Sequence, residues 1–474
     1  MGYTQKAVVV GAGISGLACA FRLKQLGVHC LAFEAKDRVG GVITTIRRNG
    51  FLFETGPQCP RFPASVRRLV HDLDLEKDFV AGDRKAKRYV FRNGRMHLAP
   101  FSPGALLATR LLGWPSKWRL LAEGFRSTQP PPQEESLADF VQRKFGQEVL
   151  DNLVDPLISA VFLGDPYRMG MDSAFQALVQ WEKNQGSVVR GAIRSASSKP
   201  TTGGNRAGSP GASSNGKRGM LHVADALPSL GSFRSGMGRL PERLLEVLAE
   251  QVRRRAEIVS VAPAGGPDGA CWQVRVANGD RILTEHLVLA VPAYAAGRLL
   301  AQSAPQLSSR LLAIEYAPVC AVSSGYNRSQ VRNGLDGFGF MVPRREQLHT
   351  ICNFWNSSLF PERAPLGNVV MTSFARPGNG EPMGEEQCAR EVEAENSRAL
   401  GITGEPVDRV VWKDSQALPQ YNVGHGVRIR EICQTLDAFP NLYLAGNFLS
   451  GRSIGDCVEI ANRVAEDLRS RVSV

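Results

Sequence analysis

The chain has 474 residues, of which 43% are hydrophobic and 22% charged. This ordinary globular composition excludes wholesale disorder, collagen and a disulfide-dense mini-protein. At about 150 residues per domain the length predicts two or three domains around a sizeable core. Lys and Arg outnumber Asp and Glu by 57 to 45, a net charge of +12, which points to an anionic partner: nucleic acid, a phospholipid surface or a carboxylate-bearing ligand.

The nine cysteines (Cys19, Cys30, Cys59, Cys271, Cys320, Cys352, Cys388, Cys433 and Cys457) are scattered singly, with no C-x-x-C and no His cluster at zinc spacing. That pattern predicts a reducing compartment and no metal centre. The start, MGYTQKAVVVGAG, lacks the features of a secretory signal, and no run approaches the roughly 18 apolar residues of a membrane span. A cytoplasmic protein is expected.

Residues 6–10 (KAVVV) are β-branched and apolar, the signature of a buried parallel strand. A glycine-rich turn follows, then a helical pattern to Gly27 and a second apolar run, HCLAF, leading into Glu34. Gly11, Gly13 and Gly16, with Ala12, Ile14 and Ser15 between them, form G-x-G-x-x-G where strand becomes helix. One glycine allows the tight turn, one lets backbone approach a pyrophosphate, and one brings helix close to sheet, with the phosphates at the helix N-terminus. Glu34 stands where an acid accepts hydrogen bonds from a ribose 2′-OH, which disfavours the 2′-phosphate of NADP. The turn alone leaves NAD and FAD open.

Arg38, Gly40 and Gly41 (DRVGG) follow, then GFLFETGP with Glu54, Gly56 and Pro57. This tract resembles the FAD-binding start of the amine oxidase and protoporphyrinogen oxidase superfamily.

From about 100 to 185 the pattern is helical. Trp114 and Trp118 stand among Leu106, Leu107, Leu111 and Leu112, with Arg110, Lys117 and Arg119 interleaved. Such a segment suits either a membrane interface or plain helical core. Residues 186–222, rich in Gly, Ser and basic residues, read as a flexible linker. Strand-like runs resume at EIVSVAP, CWQVRVA and LVLAVPA and again between 338 and 375. The chain closes with the strand NLYLAG and a helix in GRSIGDCVEIANRVAEDL. There Asp456 and Glu459 predict a capping-box start.

Further segments are similar to protoporphyrinogen oxidases, in the family's order: DPLISAVFLGDPYRMGMDSAF, WEKNQGSVVRGA, SFRSGMGRLPERL, GFGFMVP, SSLFPERAP and LPQYNVGH. Of these PQY-x-x-GH is the most specific. Three departures stand out. Trp412 lies a little further from Pro419 than the pattern has it, FARPGN replaces a Gly pair after Phe374, and Ala160 stands where Gly is common.

The resemblance implies an α/β fold of the amine oxidase type. A discontinuous Rossmann-type FAD-binding domain (1–80, 223–300 and 428–474) would join an antiparallel β substrate domain (81–100 and 301–427) and a helical, membrane-associating domain (101–222) that includes the basic linker 188–222. It implies FAD bound by Gly11, Ala12, Gly13, Ile14, Ser15, Gly16, Glu34, Ala35, Arg38, Gly41, Val42, Gly56, Pro57, Gln58, Ile258, Trp412, Gly446, Arg452, Ser453 and Ile454. Met341, Phe354 and Phe374 would sandwich a macrocycle, with Arg88 on a propionate. The implied reaction is removal of six hydrogens from protoporphyrinogen IX, with O2 as acceptor and hydrogen peroxide as product, in haem biosynthesis. Coproporphyrinogen III is an alternative substrate. The flavin carries the hydride chemistry, so no catalytic side chain is expected, nor a metal. A homodimer lying peripherally on an acidic membrane surface is a further expectation. Two other readings stay open: an amine oxidase or carotenoid-type desaturase on the same fold, and a basic nucleic-acid-binding protein, which no recognition motif supports.

Between Arg84 and Ala122 there are nine basic residues and no acid, and between Asn184 and Ala224 six and no acid. These fifteen exceed the net +12, so the rest of the chain is net −3. The charge therefore points to substrate carboxylates and acidic lipid headgroups.

Overall fold

The computed structural model describes residues 4–83, 85–100, 102–197, 230–266, 269–376 and 383–472. Two seven-stranded sheets organise them. In the first, strand Thr4–Val10 lies between Arg281–Leu289 and Cys30–Phe33, parallel to both. Leu442–Leu444 adds a further parallel strand beside Arg281–Leu289. Alternate residues of the opening strand enter opposite cores: Ala7 and Val9 pack with the helices Ile14–Gln25 and Ile454–Arg471, whereas Val8 and Val10 pack with Trp272, Leu307 and Leu311. A strand covered on both faces needs an unbroken apolar run, which is why AVVV reads as it does.

The second sheet runs Asp408–Pro419, Tyr316–Asn327, Asn368–Ala375, Thr350–Phe354, Gly337–Met341, Lys87–Arg92, Arg95–Leu98. Its pairings are antiparallel except that between Gly337–Met341 and Lys87–Arg92. Helix Glu385–Leu400 covers one face, with Cys388, Ala389 and Val392 on Cys320, Val322 and Ala375, and Asn396 donating to the Ser373 hydroxyl at 3.0 Å. The two sheets are tied through strand Phe51–Glu54: the Ser323 hydroxyl donates to the Glu54 carbonyl at 3.3 Å, and Asn356 donates to the Gln58 side chain at 2.6 Å.

Between 103 and 197 the chain is helical around Phe140, Leu150, Ile158 and Met171. A buried ionic cluster crosses this lobe. Lys144, 4% exposed, lies 3.2 Å from the Glu123 carboxylate and 2.9 Å from that of Glu182, and Arg143 adds a 2.8 Å contact to Glu182.

The structure differs from the sequence reading in three places. The expected linker does not begin at 188, because helix Val188–Ser197 occupies its start. Its N-terminus is held by Glu123, which accepts from the Ser187 hydroxyl at 2.7 Å and from the Val188 and Val189 amides at 2.9 and 3.0 Å. That acid lies more than sixty residues upstream, so local composition could not signal the helix. Linker residues 198–222, and the start of the domain piece expected from 223, lie outside the described residues. Second, the closing helix is capped by Ser453 with Asp456: the Ser453 hydroxyl accepts from the Asp456 amide at 3.1 Å, and Asp456 accepts from the Ser453 amide at 2.9 Å. Glu459 instead accepts from the Ser65 hydroxyl at 3.1 Å, so the box sits three residues earlier than expected. Third, helix Pro305–Leu312 lays Leu307 and Leu311 into the core of the first sheet, which carries that unit past residue 300.

Candidate functional site

Gly11 has φ +99°, a conformation that favours glycine, and its amide donates to the Phe33 carbonyl at 2.7 Å. A Cβ on Gly16 would stand 1.8 Å from the Gly11 carbonyl oxygen, so only glycine lets the helix start this close to the turn. Gly13, the N-cap, behaves oppositely: a Cβ there meets nothing within 4 Å, and no side chain caps the helix. The first-turn amides of Ser15 and Gly16 therefore remain available, at the positive end of the helix dipole, to an anion approaching over Gly13.

Around this cradle the structure gathers most of the sequence-predicted residues. Both oxygens of Glu34 are engaged locally, from the Ala12 amide at 2.9 Å and the Lys36 amide at 3.0 Å, which fixes the carboxylate at the end of its strand; Ala35 between them is exposed. Gly40 bridges to Gly13, a Cβ on Gly41 would reach the Gly13 Cα at 3.4 Å, and Arg38 donates to the Gly41 carbonyl at 2.8 Å. Gly56 is pressed on Val42, where a Cβ would stand 2.1 Å from the carbonyl oxygen; Pro57 follows it, and Gln58 donates to the Glu54 and Gly56 carbonyls. The glycines are thus places where backbone meets backbone or open space. That is a cradle which a Cβ would fill, and it fits a dinucleotide.

Glu54, 2% exposed, accepts from the Met237 amide at 2.8 Å and the Thr45 hydroxyl at 2.8 Å; burial pushes its carboxyl up to about 7. It ties GFLFETGP to the SFRSGMG segment.

The C-terminal half of the site is held by PQY-x-x-GH. The Tyr421 hydroxyl donates to the Asn447 carbonyl at 2.5 Å, and His425 Nε2 lies 3.0 Å from the Phe448 carbonyl, the two rings stacked 4.4 Å apart. They pin the turn after Gly446 that leads to Arg452, Ser453 and Ile454. Burial pushes His425 down to about 4, so the ring is neutral and Nε2 carries the donated proton. Its role is positional. Arg452 has its Cζ 3.7 Å from the Phe162 ring centroid, and burial lowers its guanidinium to about 10. The helix Ile454–Arg471 packs on helix Ile14–Gln25, with Cys457 against the Ser15 hydroxyl, so two helix N-termini converge on one region. Ile258 is buried in the apolar core with Val10 and Phe33, the residues that precede Gly11 and Glu34, and Ala256 just before it donates to the Glu34 carbonyl at 2.9 Å.

The proposed substrate residues lie on one face of the second sheet. Directly paired residues point to the same side, and the register pairs Trp412 with Ala321, Ala321 with Phe374, Phe374 with Cys352 and Cys352 with Met341. The next row on that face holds Arg88, Gly339 and Phe354. This is the face away from helix Glu385–Leu400. Phe354 and Phe374 meet edge to face at 5.8 Å, Phe338 meets Phe354 at 5.6 Å, and the Arg88 guanidinium lies over Phe338 at 4.6 Å. The sequence reading did not single out Phe338. It joins the row because Gly339 (φ +137°) bulges the strand, packing so closely that a Cβ would stand 1.9 Å from the Asn353 carbonyl oxygen. Arg88, Phe338, Met341, Phe354, Phe374 and Trp412 are all half-buried on a sheet whose neighbouring positions are largely buried. Met341 also packs against the cluster of Val90, Ala99 and Leu111. The arrangement is an aromatic floor with a cation at one end, suited to a flat apolar molecule bearing a carboxylate. Among the described residues no cluster of His, Cys, Asp and Glu could hold a metal ion.

Comparison with known proteins agrees with this geometry. Residues 14–469 match the family model described as flavin containing amine oxidoreductase. A chloroplastic protoporphyrinogen oxidase of Oryza sativa subsp. japonica is 31% identical over 97% of this chain and 87% of its own length. A coproporphyrinogen III oxidase of Bacillus subtilis (strain 168) is 24% identical over 97% of both. The crystal structure of a protein from Exiguobacterium sp. 255-15 superposes with a TM-score of 0.81 at 22% identity, each chain covered in full. The expected resemblance and fold class are borne out. A dinucleotide cradle of two helix N-termini beside an aromatic sheet face, continuous with the family match, places this chain in the family of flavin-containing amine oxidoreductases.

Proposed function

We propose that the chain is an FAD-dependent porphyrinogen oxidase of haem biosynthesis, passing six hydrogens of a porphyrinogen to three O2 and releasing three hydrogen peroxide. The observation that carries this reading is the row Arg88, Phe338, Phe354 and Phe374, whose contacts run from 4.6 to 5.8 Å on the sheet face away from helix Glu385–Leu400, in a sheet tied to the glycine cradle. FAD supplies the hydride chemistry when bound. The chain's own tasks are to lay the macrocycle on the aromatic floor, pin a propionate with Arg88 and keep the cradle rigid. The relatives named for protoporphyrinogen and coproporphyrinogen III oxidation support the substrate class.

The helical lobe is proposed to rest on an acidic membrane surface. Trp114, Trp118 and Leu121 of helix Trp114–Glu123, with Phe125 just beyond it, fall on one face at 67, 66, 49 and 90% exposure. Lys117, between the two Trp, buries its stem, donates to the Leu107 carbonyl at 2.7 Å and stacks on Trp114. Exposed aromatics beside basic residues suit an interface. No described helix is long and apolar enough to cross a membrane.

The test is anaerobic mixing of the flavin-loaded protein with protoporphyrinogen IX and, separately, coproporphyrinogen III. Bleaching of the flavin bands by one of them, reversed by O2 with peroxide release, is expected. A flavin that neither substrate bleaches overturns the reading.

A further inference from the structure

Arg376 lies just beyond strand Asn368–Ala375, two residues past Phe374 and so on the same face as the aromatic floor. It stands in FARPGN, one of the segments that depart from the family pattern. Its amide is fixed by the His349 carbonyl at 2.9 Å. Its guanidinium is half-buried, and its hydrogen-bond partner among the described residues is a neutral group, the Ser159 hydroxyl at 3.2 Å.

Two carboxylates lie nearby, and both are committed to a different arginine. Arg344 takes Asp155 through Nε at 3.2 Å and through its amide at 2.8 Å, and takes Asp165 through Nη1 at 3.0 Å. Arg376 is therefore a cation drawn out of water beside another cation, Arg344; Asp155 and Asp165 lie near both, but among the described residues their direct contacts go to Arg344 and Arg376 makes no ion pair. Burial and that neighbour lower its pKa, outweighing the opposite pull of Asp155, Cys352 and Asp165. A half-buried charge in this state is costly unless a further anion completes it.

The place of that anion follows from the sheet. Arg88 shares a row with Gly339, Phe354 and Thr372, whereas Arg376 lies four residues further along the strand of Thr372. At ordinary strand spacing and rise the two arginines are separated by about 14 Å across the sheet and about 14 Å along it. Phe354, Phe374 and Met341 lie between them. Helix Asp155–Phe162, which carries Ser159, packs over the strands Thr350–Phe354 and Gly337–Met341 at the Arg376 end. The floor thus has a cation at each of two opposite corners.

We infer that Arg376 anchors a second substrate carboxylate, opposite the one held by Arg88, and selects a macrocycle with carboxylates on both edges. Resting on the porphyrinogen oxidase reading, this assigns the preferred substrate as the tetracarboxylate, coproporphyrinogen III, whose propionates replace the two vinyls of protoporphyrinogen IX. The vinyl edge of the dicarboxylate would leave Arg376 without a partner.

The experiment measures kcat/KM for both porphyrinogens with wild type, Arg376→Ala, Arg376→Lys and Arg88→Ala, each matched for flavin content by its visible spectrum. Wild type is expected to favour coproporphyrinogen III. Arg376→Ala should raise KM for it at least tenfold, move KM for protoporphyrinogen IX less than threefold and leave kcat within threefold; Arg376→Lys should recover part of the loss. Arg88→Ala should weaken both substrates. Equal effects of Arg376→Ala on the two substrates, no effect on either, or a wild-type preference for the dicarboxylate overturns the assignment while leaving the oxidase reading intact. Loss of flavin in Arg376→Ala passes the decision to Arg376→Lys, which must then show the same selective rise in KM. A flavin-loaded wild type inactive on both substrates removes the oxidase reading and this assignment with it.

Discussion

Two glycines of the same turn, three residues apart, are predicted to respond to the same substitution in opposite ways. In Gly16→Ala the new methyl falls 1.8 Å from the Gly11 carbonyl oxygen, against a contact limit near 3.0 Å. The overlap of about 1.2 Å is with backbone, so no rotamer relieves it and either the turn or the helix must move. Overpacking of this kind costs about 3 kcal/mol, the upper end of the usual range, and the apoprotein should melt about 3 °C lower. Gly13→Ala places its methyl in open space, on a backbone of φ −70° and ψ 179° that alanine adopts without strain. Its apoprotein should lose less than about 1 kcal/mol, the difference between Gly and Ala at an N-cap. If pyrophosphate approaches over Gly13, however, the methyl stands in its way. FAD affinity should then fall about 10- to 100-fold, or about 1.4 to 2.8 kcal/mol. The assay is thermal unfolding of the flavin-free proteins, followed by titration with FAD, read from quenching of flavin fluorescence. A Gly13→Ala protein that binds FAD like wild type would falsify the cradle. So would a Gly16→Ala apoprotein as stable as wild type, because the close approach of helix to turn could not then be needed.

Flotation with anionic liposomes should carry the wild-type protein upward and leave Trp114→Ala/Trp118→Ala at the bottom of the gradient; absence of wild-type binding ends the membrane proposal. Stability against pH should report His425. Its folded pKa of about 4 lies below the ordinary 6.5, so its contribution is fully present above pH 6.5 and is lost as pH falls towards 4. The shift corresponds to about 3 kcal/mol. Glu54, raised to about 7, acts in the other direction: its contribution is full below its ordinary value and is lost as pH rises through 7. The two slopes oppose each other between pH 4.5 and 6.5, so the informative quantity is the difference between wild type and His425→Gln in urea unfolding. The variant should lose less stability on acidification, and parallel curves would show that His425 is not held neutral.

The opening βαβ unit and its glycine fingerprint were legible in the sequence because every part of that signal is local. AVVV is apolar throughout since the strand is covered on both faces, and Gly11, Gly13 and Gly16 are spaced by the turn they make. The PQY-x-x-GH segment was legible as a resemblance, but its task was not: Tyr421 and His425 hold the carbonyls of Asn447 and Phe448, more than twenty residues away. The Trp114 segment left two readings open because amphipathic periodicity is the same on a core helix and an interfacial one; only packing distinguishes Lys117, buried, from Trp114, exposed.

The +12 charge shows most directly what each level decided. Sequence alone located the surplus in two basic blocks and so removed it from the chain as a whole. It could not assign partners, because whether a cation is spent on a neighbouring acid depends on contacts between distant segments. Lys87 is spent on Asp336, Arg143 on Glu182, and Arg344 on Asp155 and Asp165. The tertiary structure made those assignments, and it left Arg376, outside both blocks, with a hydroxyl as its hydrogen-bond partner among the described residues. Composition counts charges, but folding decides which of them still need a partner.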